Sequence, residues 1–409
     1  MRRDQAMGFT ADGALHVRVQ TVHQRASTVL ADGPLGSRAV ASPWVVAHAE
    51  RANVDEGRVA NEPHTGHWHA QLVPPRGAGS AAQQARGHVQ HLAGPAVLSR
   101  EPHQPVGNTS ELDVLADPIG GNYADPLIMR RFAGSPPMSP TYNESGIKVL
   151  HIPDLDIWTS CITLVSCLRI IKRWMDHHPE AVPLTVMMEP KTAESLGEMQ
   201  GGAKVIPWDN ATLLDGLDDE IRRVFGPAQL ITPDDIRREG DTLEGSVLGR
   251  GWPDLESARG RIMFLMDNAL PDPIRDAYID GRPNLEGRVL FTNAPIGDPD
   301  CAFQKLNDVT TLEYTKHVRT QVTRGYWVRT RADEPLRTIW DGCSIERRKL
   351  ALSSGAQIVS TDFPAYGMSA RWGCDYAATL PGHRAVRCNP AMLLPGCRDD
   401  VLERLHVES

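Results

Sequence analysis

Short apolar runs alternate with amphipathic segments along the chain from residue 111 onward. Apolar runs of this length, bounded by turn residues, predict β-strands. We predict strands over residues 111–116, 148–152, 184–189, 262–266, 289–292, 326–331 and 358–361. The amphipathic segments between them predict helices over residues 162–177, 213–225, 310–323 and 344–353. Strands that alternate with helices are typical of a parallel α/β fold.

The number of predicted strands indicates a barrel with one strand–helix unit missing. Seven strands are one fewer than a (β/α)8 barrel needs, so the eighth would come from residues before Glu111. Residues 1–110, however, show no sustained helical or strand periodicity and contain no Lys, Ile, Tyr or Cys. We therefore predict an α/β fold, a distorted (β/α)8 TIM-type barrel over residues 111–390, followed by a tail over residues 391–409.

Composition and charge argue against two classes of protein. The chain has 409 residues, 41% of them hydrophobic and 23% charged, which is ordinary for a globular protein. Its formal net charge of -8 argues against a nucleic-acid-binding surface. No apolar run is long enough to span a membrane, and no apolar stretch follows the basic start of the chain. We therefore expect neither a transmembrane segment nor a signal peptide.

All seven cysteines follow residue 160, and none lies in a C-x-x-C zinc pattern. Cys161 and Cys167 are six residues apart, and Cys388 and Cys397 flank a proline-containing turn. Each pair is able to form a disulfide in an oxidising compartment, and buried free thiols fit the spacing equally well. The sequence leaves these two alternatives open.

Polar residues follow most of the predicted strands, where the C-terminal ends of parallel strands would meet. Glu111 and Asp113 lie at i and i+2 on one strand, so their carboxylates share a face. His151 ends the second predicted strand, and Glu189 ends the third, two residues before Lys191. A carboxylate beside a barrel core is costly unless a cation neutralises it, so the three carboxylates predict one metal site. A solvated acidic strand and a structural histidine are the alternative interpretations.

The later strands carry further polar residues at their ends. These residues are Asp267, Asn268, Asn293 and Asp362. Arg329 and Arg331 lie on the sixth predicted strand, and they indicate either an anion site or an internal ion-pair network. The sequence does not decide between these two interpretations.

Taken together, the strand-end motifs resemble the calcium-dependent phosphatidylinositol-specific phospholipase C family of the bacterial and fungal type, within the PI-PLC-like phosphodiesterase superfamily. The matching segments are Glu111–Val114, Ala116–Pro118, Lys148–Asp154, Leu230–Asp235, Gly251–Pro253, Gly287–Asn293, Val328–Asp333 and Ser354–Asp362. The resemblance covers roughly residues 110–390. The motifs are specific as a set, whereas the E-x-D pair alone is not.

The resemblance implies a distorted barrel with one Ca²⁺ at its mouth and cleavage of a phosphodiester. The calcium ligands implied by matching motif are Glu111, Asp113 and Glu189. His151 would be the second catalytic histidine, and Lys191 and Arg331 would add positive charge near the phosphate. The implied partner is a phospholipid substrate at a membrane surface, bound peripherally. The family is mostly secreted, which implies an extracellular location.

The chain departs from the family pattern at its first strand. That strand should carry a motif such as Gly-Thr-His-Asn-Ser-Tyr-His, which provides a catalytic histidine and an asparagine calcium ligand, and this sequence has no such motif. The candidate replacements, His64, His67, His69 and His88, lie in no strand-like context. We therefore expect impaired catalysis.

An out-of-frame reading would account for the missing motif. Codons for His67–Pro75, shifted by one base, permit Thr-Gly-Thr-His-Asn-Ser-Tyr-His. The same shift over Val97–Asn108 permits a segment that resembles the one before the E-x-D strand of the family. The absence of Lys, Ile and Tyr from residues 1–110 fits this hypothesis. We interpret much of residues 1–110 as an out-of-frame reading, with the frame restored near Thr109.

The sequence leaves three functions to weigh. The first is a Ca²⁺-dependent phosphoinositide phospholipase C that is impaired by loss of its first histidine motif. The second is a catalytically inactive barrel that retains metal or lipid binding. The third is a Mg²⁺-dependent phosphodiesterase acting on glycerophosphodiesters or sphingomyelin, because that superfamily shares the E-x-D pair and two histidines. The motifs after residue 230 favour the first function over the third.

Overall fold

The structure is a computed structural model of the chain. It describes residues 18–20, 28–30, 89–93, 109–131, 138–155, 159, 161–192, 198, 201–381, 386–392 and 397–402. Most of the predicted irregular segment over residues 1–110 lies outside these ranges. His64, His67, His69 and His88 also lie outside the described residues.

Strands and helices alternate through most of the described chain. The strands are β1 (Arg18–Gln20), β2 (Thr28–Leu30), β3 (Val89–Ala93), β4 (Thr109–Leu115), β5 (Lys148–Val149), β6 (Leu184–Pro190), β7 (Leu230–Ile231), β8 (Ile262–Met266), β9 (Leu290–Phe291), β10 (Phe303–Lys305), β11 (Trp327–Arg331), β12 (Ile358–Ser360) and β13 (Val386–Cys388). The helices are α1 (Leu127–Arg131), α2 (Leu164–His177), α3 (Ala211–Val224), α4 (Pro233–Ile236), α5 (Leu243–Gly249), α6 (Leu255–Ala258), α7 (Pro273–Ile279), α8 (Leu312–Arg324), α9 (Pro335–Trp340) and α10 (Glu346–Ser354).

Two sheets carry the parallel strands. In the first sheet, β4, β6, β8 and β9 run parallel in that order, and β5 pairs antiparallel with β4 at the edge. β7 pairs with the start of β8. In the second sheet, β10, β11, β12 and β3 run parallel, and β13 pairs antiparallel with β3. A parallel bridge between Asn293 and Phe303 connects β9 to β10, so the strands of both sheets point the same way there.

The α/β class agrees with the sequence prediction, while several strands differ from it. The sequence predicts a barrel strand over residues 148–152, whereas β5 is a short antiparallel edge strand in which Val149 pairs with Val114. β10 is not predicted, because three residues are too few to show a period. β3 lies beside β12, in a region where the sequence predicts no strand. The described residues establish a mixed α/β fold of two sheets joined by one bridge.

Buried side chains of the first sheet and its helices form the main core. All five residues of β8 are buried, as expected for a strand that is covered on both faces. α2 begins at a capping box formed by Thr163 and Ser166, and it buries Leu168 and Met175. Each fully buried aliphatic side chain of this size stabilises the fold by about 1.5–3 kcal/mol. The polar ends of these strands are therefore held by a well-packed core.

Three disulfides cross-link the described chain. The bridges are Cys161–Cys167, Cys343–Cys374 and Cys388–Cys397. The first and the last are the pairs that the sequence left open, and the middle bridge was not predicted. Cys301 is a buried free thiol. No helix in the described part of the chain combines the length and the apolar character that crossing a bilayer requires.

Candidate functional site

Parallel register brings carboxylates from three neighbouring strands to one edge of the first sheet. Asp113 of β4 lies opposite Glu189 of β6, and Met188 lies opposite the last residue of β8. The next residue, Asp267, donates its backbone N–H to the carbonyl of Met188 and so continues alongside β6. Because side chains alternate along a strand, Glu111 shares a face with Asp113. We call Glu111, Asp113, Glu189 and Asp267 the carboxylate cluster.

Three members of the carboxylate cluster are arranged to hold a cation. One carboxylate oxygen each from Glu111, Glu189 and Asp267 lies within 4.8 Å of the other two. Glu111 and Asp267 are buried, and Glu189 is half-buried. Carboxylate oxygens suit a hard divalent cation such as Ca²⁺, which takes about six to eight oxygen ligands. The three residues would supply part of such a coordination shell.

An unpartnered oxygen of Glu111 supports this fit. Oε1 of Glu111 is buried and accepts no hydrogen bond from the described residues. Burial, and then the nearby charge of Asp267, raise the pKa of Glu111 to about 8. A cation between the carboxylates would remove this cost, because it neutralises charge that burial and crowding disfavour. The donor set therefore fits Ca²⁺.

Two cations from the second sheet balance part of the negative charge. Nη2 of Arg329 lies 3.3 Å from Oε2 of Glu111, and Nζ of Lys305 contacts Oδ1 of Asp267. Burial opposes the ionisation of Asp267, but Arg329 and Lys305 outweigh it and hold the pKa of Asp267 at about 2. The fully buried Arg329 also donates to Oδ1 of Asn307 at 2.8 Å. These contacts make Arg329 part of an internal ion-pair network, one of the two interpretations of the sequence.

Asp113 contacts the other cation of the site. Nζ of Lys191 lies 2.9 Å from Oδ1 of Asp113 and 2.7 Å from Oε2 of Glu189. Nε2 of the buried His151 lies 3.9 Å from Oδ2 of Asp113. Burial raises the pKa of Asp113, and the two carboxylates raise the pKa of Lys191 although burial opposes its charge. Lys191 is therefore a cation that bridges β4 and β6 at the site.

Arg331 lies two residues beyond Arg329 on β11, opposite Ser360. Nη1 of Arg331 is 3.9 Å from Oε1 of Glu334, and burial, followed by the charge of Arg329, lowers the pKa of Arg331. Asp362 has a buried Oδ2 that accepts no hydrogen bond from the described residues. Burial and the charge of a second aspartate raise the pKa of Asp362, and Arg331 offsets part of this shift. Arg331 and Asp362 therefore interact electrostatically at the ends of β11 and β12.

Asn268 and Asn293 join the ends of β8 and β9. Nδ2 of Asn268 donates to the carbonyl of Asn293 at 3.0 Å, and Nδ2 of Asn293 donates to the carbonyl of Asn268 at 3.1 Å. The backbone N–H of Asn293 donates to Oδ1 of Asn268 at 2.9 Å. These reciprocal hydrogen bonds fix two strand ends beside the site, which is a structural role.

The structure brings five of the six predicted site residues into one group, and the sixth, Arg331, interacts electrostatically with Glu111 and Asp267 of the carboxylate cluster. The five are Glu111, Asp113, His151, Glu189 and Lys191. It adds Asp267, Arg329 and Lys305, to which the sequence analysis gave no metal-site role. Asp267 directly follows a buried strand, a signal that the sequence does contain. Lys305 ends the unpredicted β10, so no local pattern indicates it.

A protein family described as phosphoinositide phospholipase C, Ca²⁺-dependent, matches residues 105–390 of the chain. The chain is similar to a solved calcium-dependent phosphoinositol-specific phospholipase C from a Pseudomonas species, with 15% sequence identity and a TM-score of 0.44. The alignment covers 75% of this chain and 96% of the Pseudomonas chain. It is also similar to a Ca²⁺-dependent phosphatidylinositol-specific phospholipase C from Streptomyces antibioticus, again with 15% identity and a TM-score of 0.44. That alignment covers 68% of this chain and 94% of the Streptomyces chain. No curated protein matches the chain.

Proposed function

The chain belongs to the Ca²⁺-dependent phosphoinositide phospholipase C family, and on that premise we propose that it binds Ca²⁺ beside the phosphate of a phosphoinositide and cleaves this lipid slowly. The convergence of Glu111, Glu189 and Asp267, with an unpartnered buried oxygen on Glu111, carries the proposal. Buried carboxylates cost free energy unless a cation neutralises them. The cluster also lies at the C-terminal ends of parallel strands, where active sites of α/β barrels are found.

Four carboxylates are the proposed calcium ligands. Glu111, Glu189 and Asp267 already approach one another within 4.8 Å. Asp113 lies opposite Glu189 in the register of β4 and β6 and would be the fourth ligand. Ca²⁺ held by these residues would supply positive charge to the phosphate and lower the pKa of a bound hydroxyl. Water and substrate oxygens would fill the remaining positions.

His151, Lys191 and Arg331 are the proposed residues of the chemical step. In the family reaction the inositol 2-hydroxyl attacks phosphorus, a histidine takes its proton, and another group protonates the departing diacylglycerol oxygen. His151 would move one of these protons, and its Nε2 lies 3.9 Å from Oδ2 of Asp113. Lys191 and Arg331 would place positive charge near the phosphate.

The absent first-strand motif supports low turnover. The first histidine of the family would come from a Gly-Thr-His-Asn-Ser-Tyr-His motif, which this sequence lacks. Loss of one general acid–base group typically costs about 10²–10⁴ in rate. Binding of Ca²⁺ and of the lipid headgroup would then remain as the main properties of the chain. The three disulfides support folding in an oxidising compartment, such as the outside of the cell.

Calcium titration of the purified chain tests the site. Isothermal titration calorimetry should detect Ca²⁺ binding, and Glu111→Gln or Asp267→Asn should weaken it by at least about tenfold, because each removes a charged ligand. Asp176→Asn, on the exposed face of α2, is the control and should bind Ca²⁺ as the parent chain does. Equal affinity in the two site variants and the control would disprove the calcium site.

Turnover separates this function from the alternatives. Phosphatidylinositol with Ca²⁺ should yield cyclic inositol phosphate at a low rate. Mg²⁺-dependent cleavage of glycerophosphodiesters or sphingomyelin would instead support that phosphodiesterase class, and lipid binding without any cleavage would support the inactive barrel. Fast Ca²⁺-dependent turnover that His151→Ala abolishes would contradict the proposal of a damaged site.

A further inference from the structure

The turn that follows His151 holds an aspartate in a backbone conformation that favours glycine. The turn spans residues 152–155 and is closed by a hydrogen bond of 3.3 Å from the N–H of its last residue to the carbonyl of its first. Pro153 is its second residue, and Asp154 is its third, with a φ of 69°. These are features of a type II turn, whose third position is usually glycine or asparagine. Glycine would fit this backbone with less strain, so the side chain of Asp154 needs a role of its own.

Asp154 ties this turn to two other segments. Its Oδ1 accepts a hydrogen bond from the N–H of Leu127 at 3.1 Å, and its Oδ2 accepts one from the N–H of Ala203 at 2.9 Å. Its backbone carbonyl accepts from the N–H of Ile128 at 3.1 Å. Asp154 is 3% exposed, so loss of its carboxylate would leave the buried N–H of Ala203 without this acceptor. We call these three hydrogen bonds the Asp154 clamp.

The neighbouring chain is shaped to approach the carboxylate of Asp154 closely. A Cβ at Gly202 would lie 2.1 Å from Oδ2 of Asp154, so a side chain there would push the carboxylate away from its hydrogen bonds. Nη1 of Arg130 donates to the carbonyl of Gly201 at 2.8 Å, which links α1 to the same segment a second time. The clamp is therefore built into the packing of three segments.

The three joined segments follow strands that carry proposed site residues. α1 follows β4, which carries Asp113. The turn follows β5 and His151, and residues 201–203 follow β6, which carries Glu189. A single carboxylate therefore connects the chain beyond three neighbouring strands of the candidate site.

We propose that Asp154 is a positioning residue, which holds the imidazole of His151 beside the carboxylate cluster through the backbone of the turn. Only two residues separate Asp154 from His151, and one of them is a proline with a fixed φ, so a displaced clamp would move the histidine. A misplacement of about 1 Å can cost about 10² in rate. The inference rests on the proposed function, in which His151 moves a proton of the phosphodiester reaction.

Asp154→Gly is the decisive substitution, because it relieves the backbone of the turn and removes both side-chain hydrogen bonds of the clamp. A residue needed only for the turn would be replaced by glycine without loss. A positioning residue would not, since glycine leaves the turn free to move away from α1 and from residues 201–203.

Modification of the full chain by diethyl pyrocarbonate, followed by mass spectrometry, tests the position of His151 without any turnover. His151 is 7% exposed and should react slowly in the parent chain, whereas in Asp154→Gly it should react at least about tenfold faster. The exposed His177 of α2 is the internal standard and should react equally in both chains. Equal rates at His151 in the two chains would overturn the proposal.

Asp218→Asn is the matched control for this measurement. Asp218 is also a buried aspartate, 2% exposed, and its Oδ1 accepts from the N–H of Val289 just before β9, at the opposite end of the strands. The control should leave His151 protected. A rise in the reactivity of His151 as large as that in Asp154→Gly would show a general loosening of the fold and would contradict the specific role of Asp154.

Kinetics with phosphatidylinositol and Ca²⁺ separates positioning from binding. Asp154→Gly should lower kcat by about tenfold or more and leave KM and the affinity for Ca²⁺ within about twofold, because the binding residues stay in place. Asp154→Asn keeps one carbonyl oxygen and tolerates the turn, so its kcat should lie between the two. In a His151→Ala background Asp154→Gly should have little further effect, since the positioned group is absent.

An equal factor lost in the parent and His151→Ala backgrounds would contradict the positioning role. A parent chain without turnover, in which Asp154→Gly still exposes His151 to the reagent, would remove the proposed function and leave the positioning of His151 in place.

Discussion

At the scale of single residues, the charge balance of the carboxylate cluster depends on Lys191. Its Nζ lies 2.9 Å from an oxygen of Asp113 and 2.7 Å from an oxygen of Glu189. Both residues are proposed calcium ligands, so the lysine and Ca²⁺ compete for the same negative charge. Removing the lysine would leave the carboxylates to repel one another, which destabilises the metal-free chain and favours cation binding.

Lys191→Met should therefore lower the Tm of the chain in chelator and tighten Ca²⁺ binding by about tenfold, because a competing cation is removed. Thermal unfolding with and without Ca²⁺ measures both effects, and the rise in Tm on adding Ca²⁺ should exceed that of the parent chain. Lys172→Met, which removes the partner of Asp176 on the surface of α2, is the control. Weaker Ca²⁺ binding in Lys191→Met would show that the lysine supports the metal instead.

The sequence predicts a site residue when it also predicts the strand that carries this residue. Glu111 and Glu189 lie on strands with clear apolar patterns, and parallel register then brings them to one edge. Asp267 follows an equally clear strand, yet its low pKa depends on Arg329 and Lys305, which come from the second sheet. Such long-range pairing leaves no local pattern in a sequence. The candidate metal site is therefore predictable in part, and its balancing cations are not.

At the scale of elements, the sequence predicts whether a segment is a strand or a helix better than it predicts the direction in which a strand runs in its sheet. β6, β8 and β11 lie within one residue of their predicted bounds, and most of their residues are buried. A short apolar run carries no information about strand direction, so the antiparallel β5 is predicted as a barrel strand. The unpredicted β10 replaces it among the parallel strands. The predicted set of strands thus contains one strand that is antiparallel instead of parallel, and it omits the parallel strands β3, β7 and β10.

The disulfides should stabilise the chain according to the length of the loop that each closes. Cys343–Cys374 spans 31 positions, and Cys388–Cys397 spans 9. A longer loop restricts the unfolded chain more, so losing the first bridge should cost about 1 kcal/mol more than losing the second. Denaturant unfolding of Cys343→Ser/Cys374→Ser and Cys388→Ser/Cys397→Ser measures the difference. Equal costs, or the reverse order, would show that native contacts outweigh loop length.

At the scale of the whole molecule, β3 extends the second sheet without the histidine motif that the family resemblance implies for a first strand. β3 pairs in parallel with β12, and such pairing needs only backbone N–H and carbonyl groups. The motif that the family resemblance implies, in contrast, depends on histidine and asparagine side chains at fixed positions. The sequence contains no such motif. Sequence comparison by motif can therefore detect the missing chemistry, although it does not predict the strand. The family match begins at residue 105, close to Thr109, where the frame would be restored.

The frame hypothesis makes a prediction for the coding DNA and for activity. In the shifted frame, the codons of His67–Pro75 should read Thr-Gly-Thr-His-Asn-Ser-Tyr-His, and sequencing that stretch measures this directly. A chain carrying the shifted reading over residues 67–108 should cleave phosphatidylinositol at least about 10²-fold faster than the present chain, because it regains a general acid–base histidine. Alanine in place of that histidine should return turnover to the low value. Codons that forbid the His-Asn-Ser reading would disprove the hypothesis, and the chain would then be a family member without a complete catalytic pair.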